Sequence, residues 1–275
     1  MAKTLSVIIA SYNTKDLTVA SVESVLKEKP GFSLEVIVVD DGSKDESVEA
    51  LKEIEEQFKN VKVVVNKENL GYVGTNNKGI KASSGKYILL LNSDTVVKKG
   101  SLEKLVKFAE DRPEAGVVGQ RLLNADGTIQ PSCFHLPSIK NAILEYWLGR
   151  KGLFEKYMPS GKEFSEVEAL VGAAFLMTPQ ARERVGLLNS AYKSYFEDMD
   201  YCRAVRRSGL KVYYLPQAEI IHYHGVSFAK LSDEANRWRK LIPSSKIYHG
   251  LLKHYLINTV IWLGQKWQKL LGTQN

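Results

Sequence analysis

The sequence predicts an α/β protein with a doubly wound, mixed but mostly parallel sheet. Three observations carry this. Apolar runs of strand length recur between Leu5 and Leu91: Leu5-Ser6-Val7-Ile8-Ile9-Ala10, Glu35-Val36-Ile37-Val38-Val39 and Tyr87-Ile88-Leu89-Leu90-Leu91. Such runs, apolar without alternation, read as strands buried on both faces. Each run stops in a polar cluster: Ser11-Tyr12-Asn13, Asp40-Asp41-Gly42-Ser43 and Asn92-Ser93-Asp94. Segments of helical period separate the runs, and strand–helix alternation builds a sheet covered on both sides.

After the first strand, Asp16 to Lys29 carries Leu17, Ala20, Val22, Val25 and Leu26 as an apolar stripe, and Pro30-Gly31 closes the helix. Ser43-Lys44-Asp45-Glu46 has the form of a capping box opening a helix from Asp45 to Phe58. Val61 to Val65 is a third strand. Asn69 to Asn77 is a Gly/Asn-rich turn entering a short helix that ends near Gly85. The strand ending at Asp94 follows, then a helix from Ser101 to Asp111 stopped by Pro113.

The middle is less regular. Val117-Val118-Gly119 reads as a strand and Asn124-Ala125-Asp126-Gly127 as a hairpin turn. Residues 137–165 suggest a flexible, partly helical insertion over the crevice. Ala169 to Met177 reads as one apolar strand. Phe196 to Asp200 leads into a helix from Tyr201 to Ser208, and Val212–Leu215 and Ala218–His224 read as two strands before a helical remainder.

In an open α/β sheet, ligands bind beyond the carboxyl ends of the strands. Asn13, Asp40 and Asp94 stand there. Asp40-Asp41 is either a turn with its cap or an acid that accepts from a nucleotide's base or ribose. Asp94, flanked by Asn92 and Ser93, is either a surface turn or a ligand for a divalent cation that also holds phosphate oxygens. Glu197, Asp198 and Asp200 are either dipole-stabilised acids of a helix's first turn or a general base desolvated by Tyr195 and Phe196. His222 and His224, on one face of a strand, are either structural or complete a metal site with Asp94. Gly71-Tyr72-Val73-Gly74 is not a dinucleotide fingerprint and Gly85-Lys86-Tyr87 is not a phosphate loop.

Six segments occur in one order: Ser11-Tyr12-Asn13; Val38-Val39-Asp40-Asp41-Gly42-Ser43; Asn69-Leu70-Gly71 with Asn76-Asn77-Lys78-Gly79-Ile80; Leu91-Asn92-Ser93-Asp94; Phe196-Glu197-Asp198-Met199-Asp200; and His222-Tyr223-His224-Gly225-Val226-Ser227. This set resembles the family 2 inverting glycosyltransferases of the GT-A fold. Gln120 to Leu123 with Asp126 to Gln130, and the late Lys253-His254-Tyr255, resemble their bacterial rhamnosyltransferase branch. The resemblance implies a donor site of Ser11, Tyr12, Asn13, Asp40, Asp41, Asn69, Gly71, Asn76, Asn92, Ser93 and Asp94 for a dTDP- or UDP-sugar. It implies Mg²⁺ or Mn²⁺ at Asp94 with His222 and His224. It implies Asp198 as general base beside Glu197, and a glycan or lipid-linked saccharide as acceptor. Asn92 stands where a full DxD motif has its first Asp, which leaves less protein charge on the cation.

The resemblance also suggests boundaries: 1–228 for the transferase (1–115 a Rossmann-like nucleotide-binding half, 116–228 an acceptor half) and 229–275 for a basic amphipathic helical tail. The net charge of +7 belongs to that tail, since Val226 to Asn275 holds eight Lys/Arg against two acids. Leu252, Leu256, Val260, Leu263, Trp267 and Leu270 form one apolar helical face beside Lys253, Lys266 and Lys269. That pattern suits an anionic membrane surface, or else a helix packed on the catalytic domain or on the second subunit of a homodimer. A leucine-rich, aromatic face suits nucleic acid poorly. The longest apolar stretch, Tyr255 to Gly264, is half the roughly 20 residues of a membrane span. The amino end shows no signal-peptide cleavage pattern. Cys133 and Cys202 fit no metal or redox spacing. A cytoplasmic protein, peripheral on the inner face of the cell membrane, is the expectation.

Overall fold

The computed structural model describes residues 4–161, 163–223 and 237–272. Its first part alternates strand and helix: β1 (Leu5–Ser11), α1 (Lys15–Lys27), β2 (Leu34–Asp40), α2 (Ser47–Gln57), β3 (Val61–Val65), α3 (Gly71–Ala82) and β4 (Tyr87–Asn92). Then come β5 (Thr95–Val97), α4 (Ser101–Glu110), β6 (Ala115–Leu123), β7 (Ile129–Gln130), β8 (Cys133–Phe134) and α5 (Ile139–Tyr146). The chain continues through β9 (Ser165–Glu166), β10 (Ala169–Leu170), β11 (Ala174–Met177), α6 (Pro179–Arg184), α7 (Glu197–Arg207) and β12 (Lys211–His222) to α8 (Arg237–His249) and α9 (Leu251–Leu270).

One sheet runs in the order β3-β2-β1-β4-β11-β6-β12-β5. Strands β1 to β4 are mutually parallel, β11 is antiparallel to both its neighbours, and β6 and β12 are parallel. The strands point their side chains alternately to opposite faces. Val7 and Ile9 therefore join one apolar cluster with Val22 and Val25 of α1, while Ile8 joins the other with Val73 and Ile80 of α3. Burial on both faces is why these strands carry no polar alternation. After β3 the chain crosses back over β1 to β4, and that reversal is where an α/β sheet opens a crevice.

Four local expectations are corrected. The capping box does not form: the Ser43 hydroxyl donates to Asp40, and α2 begins only at Ser47, whose hydroxyl and N–H both donate to Asp45. The apolar run from Ala169 to Met177 breaks around Gly172, so β10 pairs with β8 while β11 enters the main sheet. The two strands expected after residue 211 are one, with a register shift between Leu215 and Glu219 around Pro216, which has no N–H for the ladder. The insertion at 137–165 does not simply roof the crevice. Its helix α5 packs against α9, with the Trp147 indole N–H donating to the Val260 carbonyl at 3.0 Å.

Candidate active site

The ladders put the ends of three strands in one row: Ser11 lies opposite Asp40, and Ala10 opposite Asn92. Asn92 N–H donates to the Ala173 carbonyl at 2.9 Å, bringing the start of β11 to the same rim. Asp40 is wholly buried there. Its Oδ1 accepts from the N–H groups of Gly42 and Ser43 at 3.1 and 2.9 Å, and its Oδ2 from the Ser43 hydroxyl at 2.6 Å. Asp41 accepts from Asn66 Nδ2 and Leu70 N–H at 2.8 Å and from Gly71 N–H at 3.0 Å. Of the two readings of this acid pair, the turn-forming one is visible. A base or ribose would have to share these bonds. Asn13, in the left-handed region at φ 52°, donates its N–H to Ser43 Oγ and accepts from Lys44 N–H, tying the ends of β1 and β2 together.

Ser11 Oγ is held by Thr18 Oγ1 at 2.9 Å, and Tyr12 is half-buried on the same turn. Asn69 is exposed and its Oδ1 accepts from Gly71 N–H. Gly71 has φ +75°, and a Cβ there would meet the Lys193 carbonyl at 3.0 Å. Asn76 donates to the Tyr72 carbonyl, while its Oδ1 is buried without a hydrogen-bond partner.

Asp94 sits in the turn between β4 and β5, 3% exposed, and His222 ends β12 opposite Thr95, 5% exposed. His222 Nε2 lies 3.4 Å from Asp94 Oδ1. Ser93 Oγ accepts from Thr14 Oγ1 at 3.2 Å, and Asn92 Oδ1 is buried without a hydrogen-bond partner. Among the described residues no three His, Cys, Asp or Glu side chains group to hold a metal. A carboxylate, an imidazole and an orphaned amide oxygen nonetheless fit Mg²⁺ or Mn²⁺, which take their other ligands from phosphate and water. His224, the rest of the 222–227 segment after Tyr223, and residues 229–236 of the expected tail lie outside the described residues.

The third group opens α7. Asp198 Oδ2 accepts from Gly172 N–H at 3.0 Å and its Oδ1 from Met199 N–H at 2.7 Å. Glu197 is buried and its Oε2 has no hydrogen-bond partner. Burial first, then the Asp198 charge, pushes the Glu197 carboxyl up to about 8. Burial also raises Asp198, against its two N–H donors and the nearby Lys156 ammonium. The two carboxyls titrate as a pair, and the Gly172 and Met199 N–H groups favour negative charge on Asp198. Before it, Tyr195 and Phe196 both take φ 68°, a conformation costly for bulky residues that persists only where surroundings impose it. Helix α8 imposes it here: the Tyr248 ring lies 5.3 Å from that of Phe196, and Ser244 Oγ donates to the Ser194 carbonyl at 2.8 Å.

Tyr72 joins the second and third groups. Its hydroxyl donates to the Gly172 carbonyl at 2.8 Å. Burial, then the charges of Glu197, Asp198 and Asp94, holds its phenol well above the ordinary tyrosine range. The charges of Asp94 and Asp198, 104 positions apart, thus both act on the Tyr72 phenol. Tyr72, Gly172, Lys156 and Tyr248 escape a reading of motifs. Only Tyr72 carried a local signal, standing inside the Gly71–Gly74 segment.

The tail divides its faces. On α9, His254, Ile257 and Gly264 are buried, and Gly264 approaches so closely that a Cβ would meet Tyr146 Cβ at 2.6 Å. The expected stripe of Leu252, Leu256, Leu263 and Leu270 is exposed. No helix of the described residues is long and apolar enough to cross a membrane.

Comparison with known proteins agrees with this geometry. The model of Glycosyl transferase family 2 matches residues 6–157, and that of Glycosyl transferase family group 2 matches residues 87–271. An uncharacterized glycosyltransferase of Haemophilus influenzae is 33% identical over 118 residues, 43% of this chain and 36% of that protein. The N-acetylglucosaminyl-diphospho-decaprenol L-rhamnosyltransferase of Mycobacterium tuberculosis is 27% identical over 217 residues, 73% of this chain and 69% of that one. The crystal structure of GalNAc-T7 with UDP, GalNAc and Mn²⁺ superposes with a TM-score of 0.63 at 19% identity, covering 80% of this chain and 44% of its own. The chain thus spans about a third of the Haemophilus protein and under half of the GalNAc-T7 chain. The sheet order, the acids gathered at its rim and both family matches make this chain a member of glycosyl transferase family 2, built on the GT-A fold.

Proposed function

We propose that the protein transfers a sugar with inversion from a nucleotide-sugar to a hydroxyl of a glycan or lipid-linked saccharide in cell-surface polysaccharide synthesis. The convergence of Asp94, Glu197 and Asp198 around the Tyr72 hydroxyl carries this reading. A protein that merely bound nucleotide-sugar would have no use for a buried carboxyl pair with an orphaned oxygen. L-Rhamnose from the dTDP-sugar is the donor we favour, on the 27% identity to the mycobacterial L-rhamnosyltransferase over most of both chains. A UDP-sugar is the runner-up, on the fold shared with a UDP-bound neighbour.

Asp198 takes the proton of the attacking hydroxyl, a role worth roughly 10²–10⁴-fold. Gly172 and Met199 N–H aim its carboxylate, and Glu197 keeps its proton so that one charge stays on Asp198. A single base opposite the leaving group displaces it in one step, which inverts the anomeric centre. The turn held by Asp40, Asp41 and Asn13 shapes the nucleotide wall. Mg²⁺ or Mn²⁺ held by Asp94 and His222 would offset charge developing on the diphosphate.

The exposed leucines of α9 lie among Lys253, Lys266 and Lys269, and residues 235–275 contain no Asp or Glu. We assign this face to the anionic inner surface of the cell membrane, where a lipid-linked acceptor resides. A thermal-shift panel of dTDP-, UDP- and GDP-sugars with and without Mn²⁺ or Mg²⁺ tests the donor and the cation together. Stabilisation by a dTDP-sugar only with cation is the expected result. No shift with any nucleotide-sugar would overturn the reading.

A further inference from the structure

The last turn of α5 runs into a corner that leaves the body of the protein and comes back. Trp147 and Leu148 N–H donate to the Ile143 carbonyl at 3.0 and 3.2 Å, and Arg150 N–H donates to the Leu144 carbonyl at 2.9 Å. Gly149 and Gly152 take φ 72° and 87°, which lets the chain reverse. The Glu145 carboxylate then accepts from the N–H groups of Leu153 and Phe154 and clamps the returning chain. Although held this closely, the corner presents an apolar tip to solvent. Leu148 is 70% exposed, Trp147 beside it is exposed as well, and Arg150 and Lys151 follow in water.

This corner adjoins the exposed face of α9. Spacings of three and four put Leu256, Val260, Leu263 and Trp267 on one side of that helix. Trp147 caps their edge: its indole donates to the Val260 carbonyl and lies near-parallel to Trp267, with ring centroids 6.5 Å apart and 17° between planes. Gln268 Nε2 donates to the Tyr146 carbonyl at 3.0 Å, and the close approach at Gly264 leaves no slack between the two helices. The corner and the leucines of α9 therefore move as one piece and form one apolar surface, of the kind that marks an interaction site.

We propose that residues 147–151 are a second membrane-inserting element, with Leu148 at its tip, entering the same anionic bilayer as α9. The inference rests on the membrane role given above to α9. Charge selects the partner. Arg150 and Lys151 add to Lys253, Lys266 and Lys269, while the acids along the chain at this corner are Glu145, committed to two backbone N–H groups, and the exposed Glu155. A second copy laid on this surface would set the cations against their own equivalents, which costs affinity. An anionic bilayer pairs with all of them and takes Trp and Leu at its headgroup boundary. A lone helix lying on a membrane is free to roll about its own axis. A rigid second contact beside it stops the roll and fixes the direction in which the crevice faces.

The test keeps the full chain. Leu148→Cys carries a nitrobenzoxadiazole fluorophore, and Gln57→Cys, at the exposed end of α2, carries the same label as control. Cys133 and Cys202 are wholly buried and out of the label's reach. With phosphatidylglycerol vesicles the label at 148 should shift to the blue and be quenched by lipids with brominated chains, while the label at 57 should do neither. Leu148→Ser should bind these vesicles about 10-fold more weakly, and Arg150→Gln with Lys151→Gln about 30-fold, with Tm unchanged in both because the side chains are exposed. Full vesicle binding with an unshifted label at 148, or wild-type affinity in Leu148→Ser, overturns the proposal and leaves the role of α9 intact. A blue shift that grows with protein concentration in the absence of vesicles gives the corner to a second copy and overturns it as well. Failure of the wild type to bind the vesicles would overturn the membrane role of α9, and this proposal with it.

Discussion

Gly172 and Asp198 are joined by a 3.0 Å bond from backbone N–H to carboxylate, which fastens a break in a core strand to the proposed base at the start of α7. The break itself follows from that bond. A continuous strand from Ala169 to Met177 would commit the Gly172 amide to a ladder, and Asp198 Oδ2 would then lose its backbone donor, leaving only Met199 N–H on Oδ1.

Replacing Gly172 by Ala probes this directly. A Cβ would stand 3.3 Å from Asp198 Cβ and 3.5 Å from the Tyr72 hydroxyl, so the carboxylate must shift by a few tenths of an ångström. Gly172→Ala should lower kcat on the order of 10-fold with little change in donor KM. Steady-state kinetics check it; an unchanged kcat would remove Gly172 from positioning the base.

Asp198→Asn keeps the shape and removes the proton acceptor. Transfer should fall roughly 10²–10⁴-fold, while donor-induced thermal stabilisation persists. Near-normal turnover would dismiss Asp198 as the base.

The Glu197 carboxyl, raised to about 8 by burial and its charged neighbour, makes stability depend on pH. The folded state holds a proton that the unfolded chain releases in the ordinary carboxylate range. Stability is therefore intact below that range and declines as pH climbs toward the folded value. Glu197→Gln has nothing to release, so its Tm should gain on the parent by several degrees between about pH 5 and pH 9. Parallel Tm curves for the two proteins would refute the buried proton.

Tyr248 packs on Phe196 and beneath the Arg203 guanidinium, 3.8 Å from its ring centre. Tyr248→Ala should cost about 3 kcal/mol and reduce kcat, whereas Tyr248→Phe keeps both ring contacts and should do neither. Urea unfolding and turnover of the two variants decide it.

Three lysines border the exposed leucines of α9. Changing Lys253, Lys266 and Lys269 to Gln together removes about 1 kcal/mol each at an anionic surface, so vesicle affinity should drop on the order of 100-fold. Co-sedimentation with anionic vesicles measures it. Unchanged binding, or a salt-independent dimer in sedimentation analysis, would transfer that face to a second copy.

The parallel half was readable because each of its strands is buried on both sides, and its apolar runs match the observed ends within a residue or two. Ser43 misled because its hydroxyl had two suitors. The acid of its own turn claimed it, and α2 starts only at Ser47, which bonds to Asp45. The break at Gly172 was hidden inside an unbroken apolar run, since only Asp198, 26 positions later, gives that amide a partner. Gln130 and His222 meet across 92 positions, a pairing that no local pattern encodes. The α9 stripe was correctly seen as one face, but the side that docks was decided by the Tyr146–Trp147 corner of α5.

Because Tyr248 braces the two left-handed residues ahead of Glu197, a fragment that keeps this turn in place must include α8 as far as Tyr248. Deleting the carboxyl-terminal helices to study attachment alone would therefore also unseat the turn that leads into Glu197 and Asp198. Chimeras that swap acceptor preference among relatives need to carry that brace along with the loop it holds.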